Sequence, residues 1–234
     1  MSHLDIYYDS LTEANWFSSL NPAFDLMKNN YHIIERRGYN PPIIDEIISY
    51  DKPDIIVLYD NKPLLVIETT QEVPTGHNVG QRFARLVKAI EMGIPAIYYF
   101  PFDAMKHGAY ANICNLNIRL LKAAEIMLNL HKTPLLCVNW ITDHNGEIIT
   151  DGSENIRIKE LLASYVSSNF NKFCDEFQNE LSNMKHEYSI RLQNRPAYAK
   201  LPPSVTLKNT SDIILNYNIS DAKLSFTNRI PVYI

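Results

Sequence analysis

The sequence predicts an α/β protein with a mixed central sheet, in which an antiparallel hairpin continues into parallel strands flanked by helices. Two apolar segments separated by a short polar turn, 54–59 and 63–70, have the pattern of a β-hairpin. Two further short apolar segments, 94–100 and 134–140, alternate with longer stretches of helical periodicity. Such alternation is typical of parallel strands that are joined by crossover helices.

The segments before the hairpin are expected to be partly helical. Residues 11–29 have the pattern of helical segments that are interrupted near Asn21-Pro22. Periodicity does not decide whether 31–39 extends a helix or forms a strand. Glu46–Tyr50 is a short strand candidate, which would turn the hairpin into a three-stranded meander.

After the hairpin, a helix is expected at about 79–92, because its apolar residues fall on one face and Gly93 follows as a terminator. A second long helix is expected at about 110–130 and precedes the strand 134–140.

Beyond Gly146 the pattern changes to mostly helical over 154–193, then to irregular structure with short strands over 196–234. We therefore expect a core domain in residues 1–145. Residues 146–234 would form a C-terminal helical and mixed extension that contacts DNA or a second subunit, unless it is part of the same domain.

The amino-acid composition is that of a folded globular protein. The chain has 234 residues with 46% hydrophobic and 21% charged side chains, enough for one large folded domain or a catalytic domain with an appendage. No apolar run approaches the roughly 18 residues that a membrane helix needs, and the start lacks the pattern of a signal peptide. The three cysteines, Cys114, Cys137 and Cys174, have no CxxC spacing, so we expect no disulfide framework and a cytoplasmic location.

The net charge of −4 argues against a protein that coats nucleic acid through bulk charge. It leaves room for a nuclease, in which acidic metal ligands sit beside a basic binding face. Residues 79–122 contain six bases and two acids, and 185–210 contain five bases and one acid. These segments fit either a surface for a polyanion or an ordinary solvated surface.

Asp54 and Glu68 are the most informative residues. A hairpin centred on Asn61 places them opposite each other, with Cβ atoms about 4.5–5.5 Å apart. Because both strands are otherwise apolar, the two carboxylates would repel each other and be costly to desolvate, and a divalent cation would relieve both problems. The alternative is that Asp54 only caps the strand after Pro53, while Glu68 sits at a solvated strand end.

Pro53-Asp54, followed after 13 residues by Glu68 within Val66–Thr70, resembles the PD-(D/E)XK motif of restriction-endonuclease-like nucleases. The resemblance covers about residues 11–100. It implies a restriction-endonuclease-like core in which Asp54 and Glu68 hold one or two Mg²⁺ ions, with Mn²⁺ able to substitute. An upstream acid often joins such a site, and between Glu35 and Glu46 we favour Glu46.

The sequence departs from this motif at one position. Thr70 stands where the family has its lysine, and it shares the face of Glu68 without carrying a charge. A replacement cation is available on the next helix, where Arg82 and Arg85 share a side. In related nucleases this helix often contributes a glutamine with a later partner, which matches the spacing of Gln81 and Arg85. The alternative is two surface arginines on an ordinary amphipathic helix.

Further residues are candidates for contacts with DNA. His77 and Asn78 lie at the end of the loop that precedes this helix, whose free N–H groups favour phosphate. His77 is then a general base or phosphate contact, unless it is an ordinary loop residue. Arg195 and Lys200, near Tyr198, fit a DNA-recognition segment or ordinary surface.

The sequence therefore predicts a Mg²⁺-dependent endonuclease that hydrolyses phosphodiester bonds of double-stranded DNA, of the site-specific type II restriction class, acting as a homodimer. One alternative is a nuclease-like module that binds nucleic acid or a protein without cleaving it. Another is an unrelated α/β enzyme, in which Asp54 and Glu68 would not converge. No Walker A, HExxH, GxSxG or GxGxxG motif is present.

Overall fold

The computed structural model describes residues 3–73, 77–106 and 112–194, with the backbone alone at 77–79, 106 and 112–114. Within these residues the strands are β1 (Leu4–Tyr8), β2 (Asn30–Ile33), β3 (Ile55–Tyr59), β4 (Lys62–Thr69), β5 (Ala96–Phe100), β6 (Asp103–Lys106), β7 (Asn112–Asn115) and β8 (Leu135–Asn139). The helices are α1 (Leu11–Leu20), a 3₁₀ helix (Pro22–Phe24), α2 (Pro42–Ile47), α3 (His77–Glu91), α4 (Ile118–His131), α5 (Ile156–Ser167) and α6 (Asp175–Gln193).

The described strands form a mixed six-stranded sheet in the order β2-β1-β3-β4-β5-β8, and β6 pairs with β7 in a separate two-stranded sheet. β3 is antiparallel to both β1 and β4, whereas β4, β5 and β8 run parallel to one another. The predicted hairpin and the two parallel strands after it are confirmed, and so is the α/β class.

From Ile55 to Val57 the β3–β4 hairpin has the register that the sequence predicts. Ile55 pairs with Ile67 and Val57 with Leu65, and a bulge after Val57 then shifts the pairing by one residue. The connecting turn consists of Asp60 and Asn61, which have φ angles of 48° and 60°. Positive φ at both central residues is the geometry of the type I′ turn, whose twist matches that of the strands.

Helices cover both faces of this sheet. Tyr98 and Tyr99 are neighbours on β5 and therefore point to opposite faces. Trp16 of α1 stacks on Tyr99, with ring centroids 5.9 Å apart. Two arginines of α3 instead reach Glu68, which pairs with Tyr98 across β4 and β5. The buried residues of the central strands thus lie between an α1 layer and an α3 layer.

The prediction of a strand at Glu46–Tyr50 is wrong, because Pro42–Ile47 forms α2. Proline suits the first turn of a helix, where its missing N–H has no intrahelical partner. Ile44, Ile47 and Ile48 are all buried, and their spacing is helical rather than alternating. The third strand beside the hairpin is β1, which precedes α1 instead of following it.

The helix expected at about 110–130 starts later than predicted. Asn112–Asn115 forms β7, which pairs with β6. The side chain of Asn117 accepts a hydrogen bond from the backbone N–H of Arg119 at 3.0 Å and caps α4 there. The helix at 79–92 and the terminating role of Gly93, whose φ is 79°, agree with the structure.

The mostly helical character expected over 154–193 is seen in α5 and α6, which contribute buried Leu161 and Phe177 to the hydrophobic core. The chain divides into two units after Leu192. The irregular structure expected over 196–234 lies outside the described residues. Among the described helices, none has both the length and the apolar character that crossing a bilayer requires.

Candidate metal centre

Asp54 and Glu68 lie together at one end of the sheet. The hairpin ladder begins with the pair Ile55–Ile67, so the adjoining position places Asp54 opposite Glu68. Both are buried, with 3% and 0% of the residue exposed. Nη1 of Arg85 lies 3.7 Å from Asp54 Oδ1 and 2.8 Å from Glu68 Oε1, so the two carboxylates share one cation.

Two arginines of α3 meet Glu68 from the covering helix. Arg82 Nη1 donates to Glu68 Oε1 at 2.6 Å, and Arg85 Nη1 donates to the same oxygen at 2.8 Å. Arg85 Nε also donates to Asp51 Oδ2 at 3.2 Å. The structure therefore brings together four of the predicted site residues, and it shows that Arg85 is held by three acids while Arg82 contacts Glu68.

The other oxygen of Glu68, Oε2, is buried and has no hydrogen-bond partner within the described part of the chain. The hydroxyl of Tyr98, which pairs with Glu68 in the sheet, is likewise buried without a partner there. An unpaired buried carboxylate oxygen is costly, and native structures normally satisfy such groups with protein, water or an ion. The oxygen suits a hard cation, which takes carboxylate ligands.

Two further acids, which the sequence analysis does not single out, lie beside Asp54. Oxygens of Asp9, Glu13 and Asp54 all lie within 4.8 Å of one another, a group that could hold a metal ion. Asp9 follows β1, and its N–H donates to the carbonyl of Asp54 at 2.9 Å. Lys52 forms an ion pair with Asp9. An acidic triad thus adjoins the Asp54–Glu68 pair.

Glu13 is placed by the start of α1. The backbone N–H of Ser10 donates to Glu13 Oε2 at 2.8 Å, and Ser10 Oγ accepts from the Glu13 N–H at 3.4 Å. This reciprocal arrangement is a capping box, and its S-x-x-E pattern was readable from the sequence. The signal for Asp9 was weaker, since it required recognising Leu4–Tyr8 as a strand that pairs beside Asp54.

Burial governs the protonation of these acids. Desolvation, reinforced by the charge of Asp54, raises the pKa of Glu68 to about 8 despite the two arginines. Desolvation also raises the pKa of Asp54, against hydrogen bonds from Thr69 and the charge of Arg85. The pKa of Glu13 is raised by desolvation and by Asp54. The site therefore resists carrying its full negative charge without a cation.

Glu46 does not belong to this group. It lies on α2 with 54% of its side chain exposed, and its carboxylate forms an ion pair with Lys88 at 3.5 Å. The expectation that Glu46 is a metal ligand depended on a strand at this segment. Because the segment is helical, the upstream acids that accompany Asp54 come from β1 and α1 instead.

The remaining predicted site residues are less closely involved. Thr70 is buried, and its hydroxyl accepts a hydrogen bond from the N–H of Glu72 at 3.1 Å. Gln81 is exposed on α3. His77 and Asn78 form the first turn of α3, but their side chains lie outside the described part of the structure, as do Arg195 and Lys200 entirely.

Comparison with known proteins identifies no relative of this chain. Neither models of protein families, nor curated proteins, nor solved structures match this chain. The function is therefore inferred from the side chains at this end of the sheet.

Proposed function

We propose that this chain is a Mg²⁺-dependent endonuclease that cleaves double-stranded DNA, of the site-specific type II restriction class. The observation that carries the proposal is the convergence of buried carboxylates at the ends of paired strands. One oxygen of Glu68 has no hydrogen-bond partner among the residues that the structure describes. The resemblance of Pro53-Asp54 and Glu68 to the PD-(D/E)XK motif supports the same conclusion.

Asp54 and Glu68 are the primary candidates to hold the metal, with Asp9 and Glu13 beside Asp54. Carboxylates that leave space for water and phosphate oxygens are the ligands that Mg²⁺ prefers, and Mn²⁺ accepts the same donors. When bound, the metal polarises the scissile phosphate and lowers the pKa of a water molecule, which supplies the chemistry of hydrolysis.

Arg82 and Arg85 have different roles in the proposed site. Arg85 contacts Asp51, Asp54 and Glu68, so it holds the acids in place and offsets their mutual repulsion. Arg82 contacts Glu68, and 31% of its side chain is exposed. It can therefore turn toward a phosphate while Arg85 still holds Asp51 and Asp54. Thr70 stands where the motif has its lysine and carries no charge, so Arg82 supplies the positive charge instead.

Incubation of plasmid and phage DNA with the purified protein in Mg²⁺, Mn²⁺ or EDTA tests this function. We expect discrete fragments that require metal and disappear in Asp54→Ala and Glu68→Ala. Glu46→Ala is the matched control, since Glu46 lies outside the acidic group. A smear with the same metal dependence indicates a nonspecific nuclease, and no cleavage with either metal overturns the proposal.

A second function is favoured by the contacts of Glu68 and Thr70. Glu68 Oε1 already accepts hydrogen bonds from two arginines, and the Thr70 hydroxyl already accepts from the Glu72 N–H. Both features suit a descendant of a nuclease that binds nucleic acid or a protein without cleaving it. DNA binding that is equally tight in EDTA and Mg²⁺, without cleavage, supports this alternative.

A further inference from the structure

We propose that Thr69 is a positioning residue that orients Asp54 toward the metal. This inference rests on the metal site of the proposed function. Thr69 lies next to Glu68 on β4, and it makes two hydrogen bonds across the hairpin to Asp54.

Both hydrogen bonds end on the same carboxylate oxygen. The backbone N–H and the hydroxyl of Thr69 each donate to Asp54 Oδ2 at 2.6 Å. Two donors on one oxygen fix the rotation of the carboxylate group, because rotation would break both contacts at once. Asp54 Oδ1 is left as the oxygen that faces Arg85, 3.7 Å from its Nη1, and is available to a cation.

The same contacts tie the two ligand strands together beyond the last paired residues. Thr69 and Glu68 are adjacent in the chain, so fixing Thr69 against Asp54 also fixes the distance between the Asp54 and Glu68 backbones. Groups that hydrogen-bond a metal ligand from outside the coordination sphere raise metal affinity by about 10–100-fold. The hydroxyl of Thr69 is the part of this arrangement that a substitution can remove, since the backbone N–H remains.

Titration calorimetry with Mn²⁺ tests the inference on the full chain. Thr69→Val removes the hydroxyl at nearly constant shape, and we expect about 10-fold weaker Mn²⁺ binding. Thr69→Ser keeps the donor and should bind within about two-fold of the wild type. The matched control is Thr133→Val, a buried threonine that precedes β8 at the opposite end of the parallel strands and bonds the His131 carbonyl.

The results of this titration distinguish the role of Thr69 from the proposed nuclease activity. Wild-type affinity in Thr69→Val, or equal weakening in Thr69→Val and Thr69→Ser, overturns the role of the hydroxyl. A comparable loss in Thr133→Val assigns the effect to general destabilisation and also overturns it. If the wild type binds Mn²⁺ and the valine variant alone is weakened, the role stands even when no DNA is cleaved. A wild type that binds no Mn²⁺ overturns the metal site and this inference together.

Discussion

At the scale of single residues, the two arginines that contact Glu68 are not equivalent. Arg85→Gln leaves three carboxylates without a shared counter-charge, whereas Arg82→Gln removes one donor from Glu68. Hydrogen bonds to charged groups contribute about 1.5–3 kcal/mol each. Arg85 donates two such bonds and Arg82 one. We therefore expect Arg85→Gln to lower the free energy of unfolding by about 3 kcal/mol, and Arg82→Gln by about half as much.

Urea denaturation in EDTA measures this difference in stability. A DNA cleavage assay measures the effect of each substitution on activity. Arg82→Gln should keep most of the stability of the wild type and still lose most of the cleavage. Equal destabilisation by the two substitutions argues against the structural role assigned to Arg85.

The raised pKa of Glu68 predicts how the stability of the metal-free protein changes with pH. Because the pKa of about 8 lies above the ordinary value of 4.5, the folded state holds this proton more tightly than the unfolded state. This contribution to stability is complete below pH 4.5 and is lost as the pH rises through about 8.

Denaturation of the wild type and Glu68→Gln at pH 6 and pH 9, both in EDTA, measures this effect. The uncharged amide cannot titrate, so the wild type should lose stability relative to the variant as the pH rises. A constant difference between the two proteins at both pH values means that Glu68 does not titrate in this range.

At the scale of elements, the β3–β4 turn and the bulge after Val57 together determine the register that places Asp54 opposite Glu68. Asn61 has a φ of 60°, which costs an ordinary L-residue about 1–2 kcal/mol but is accessible to asparagine and glycine. Asn61→Ala should destabilise the protein by about 1 kcal/mol, while Asn61→Gly should not. Chemical denaturation of the two variants checks this, and equal effects would show that the turn does not require positive φ.

The sequence could predict some elements and not others for physical reasons. The hairpin was predictable because a short turn joins its two apolar strands, whereas the bulge after Val57 has no signal of its own in the sequence. β1 has no local signal, because its five residues pair with β2 and β3, which lie more than 20 residues away along the chain. Glu46–Tyr50 resembles a strand in sequence because a short apolar run has no clear period.

The same distinction applies to the site. Asp54, Glu68, Arg82 and Arg85 were predictable because the hairpin and the following helix bring them together through local geometry. Asp9 and Glu13 reach Asp54 only through the pairing of β1 with β3. Alternation along β4 places Thr70 on the face of Glu68, but it does not indicate the cross-strand hydrogen bonds that Thr69 makes.

At the scale of the whole molecule, metal binding should stabilise the fold. A ligand that binds only the folded state at about 100 times its Kd adds about 2.7 kcal/mol to the free energy of unfolding. Thermal unfolding should therefore shift upward with increasing Mn²⁺ in the wild type and not in a protein carrying Asp54→Asn and Glu68→Gln. An equal shift in both proteins locates the metal elsewhere.

The most direct measurement is an anomalous difference map from crystals soaked in Mn²⁺, recorded near the manganese absorption edge. We expect a peak at the acidic end of the sheet, about 2.0–2.3 Å from oxygens of Asp54 and Glu68, with Asp9 or Glu13 in the same coordination shell. If the anomalous peak lies away from Asp54, or if no peak appears at a Mn²⁺ concentration high enough to fill the site, these buried acids are not a metal centre.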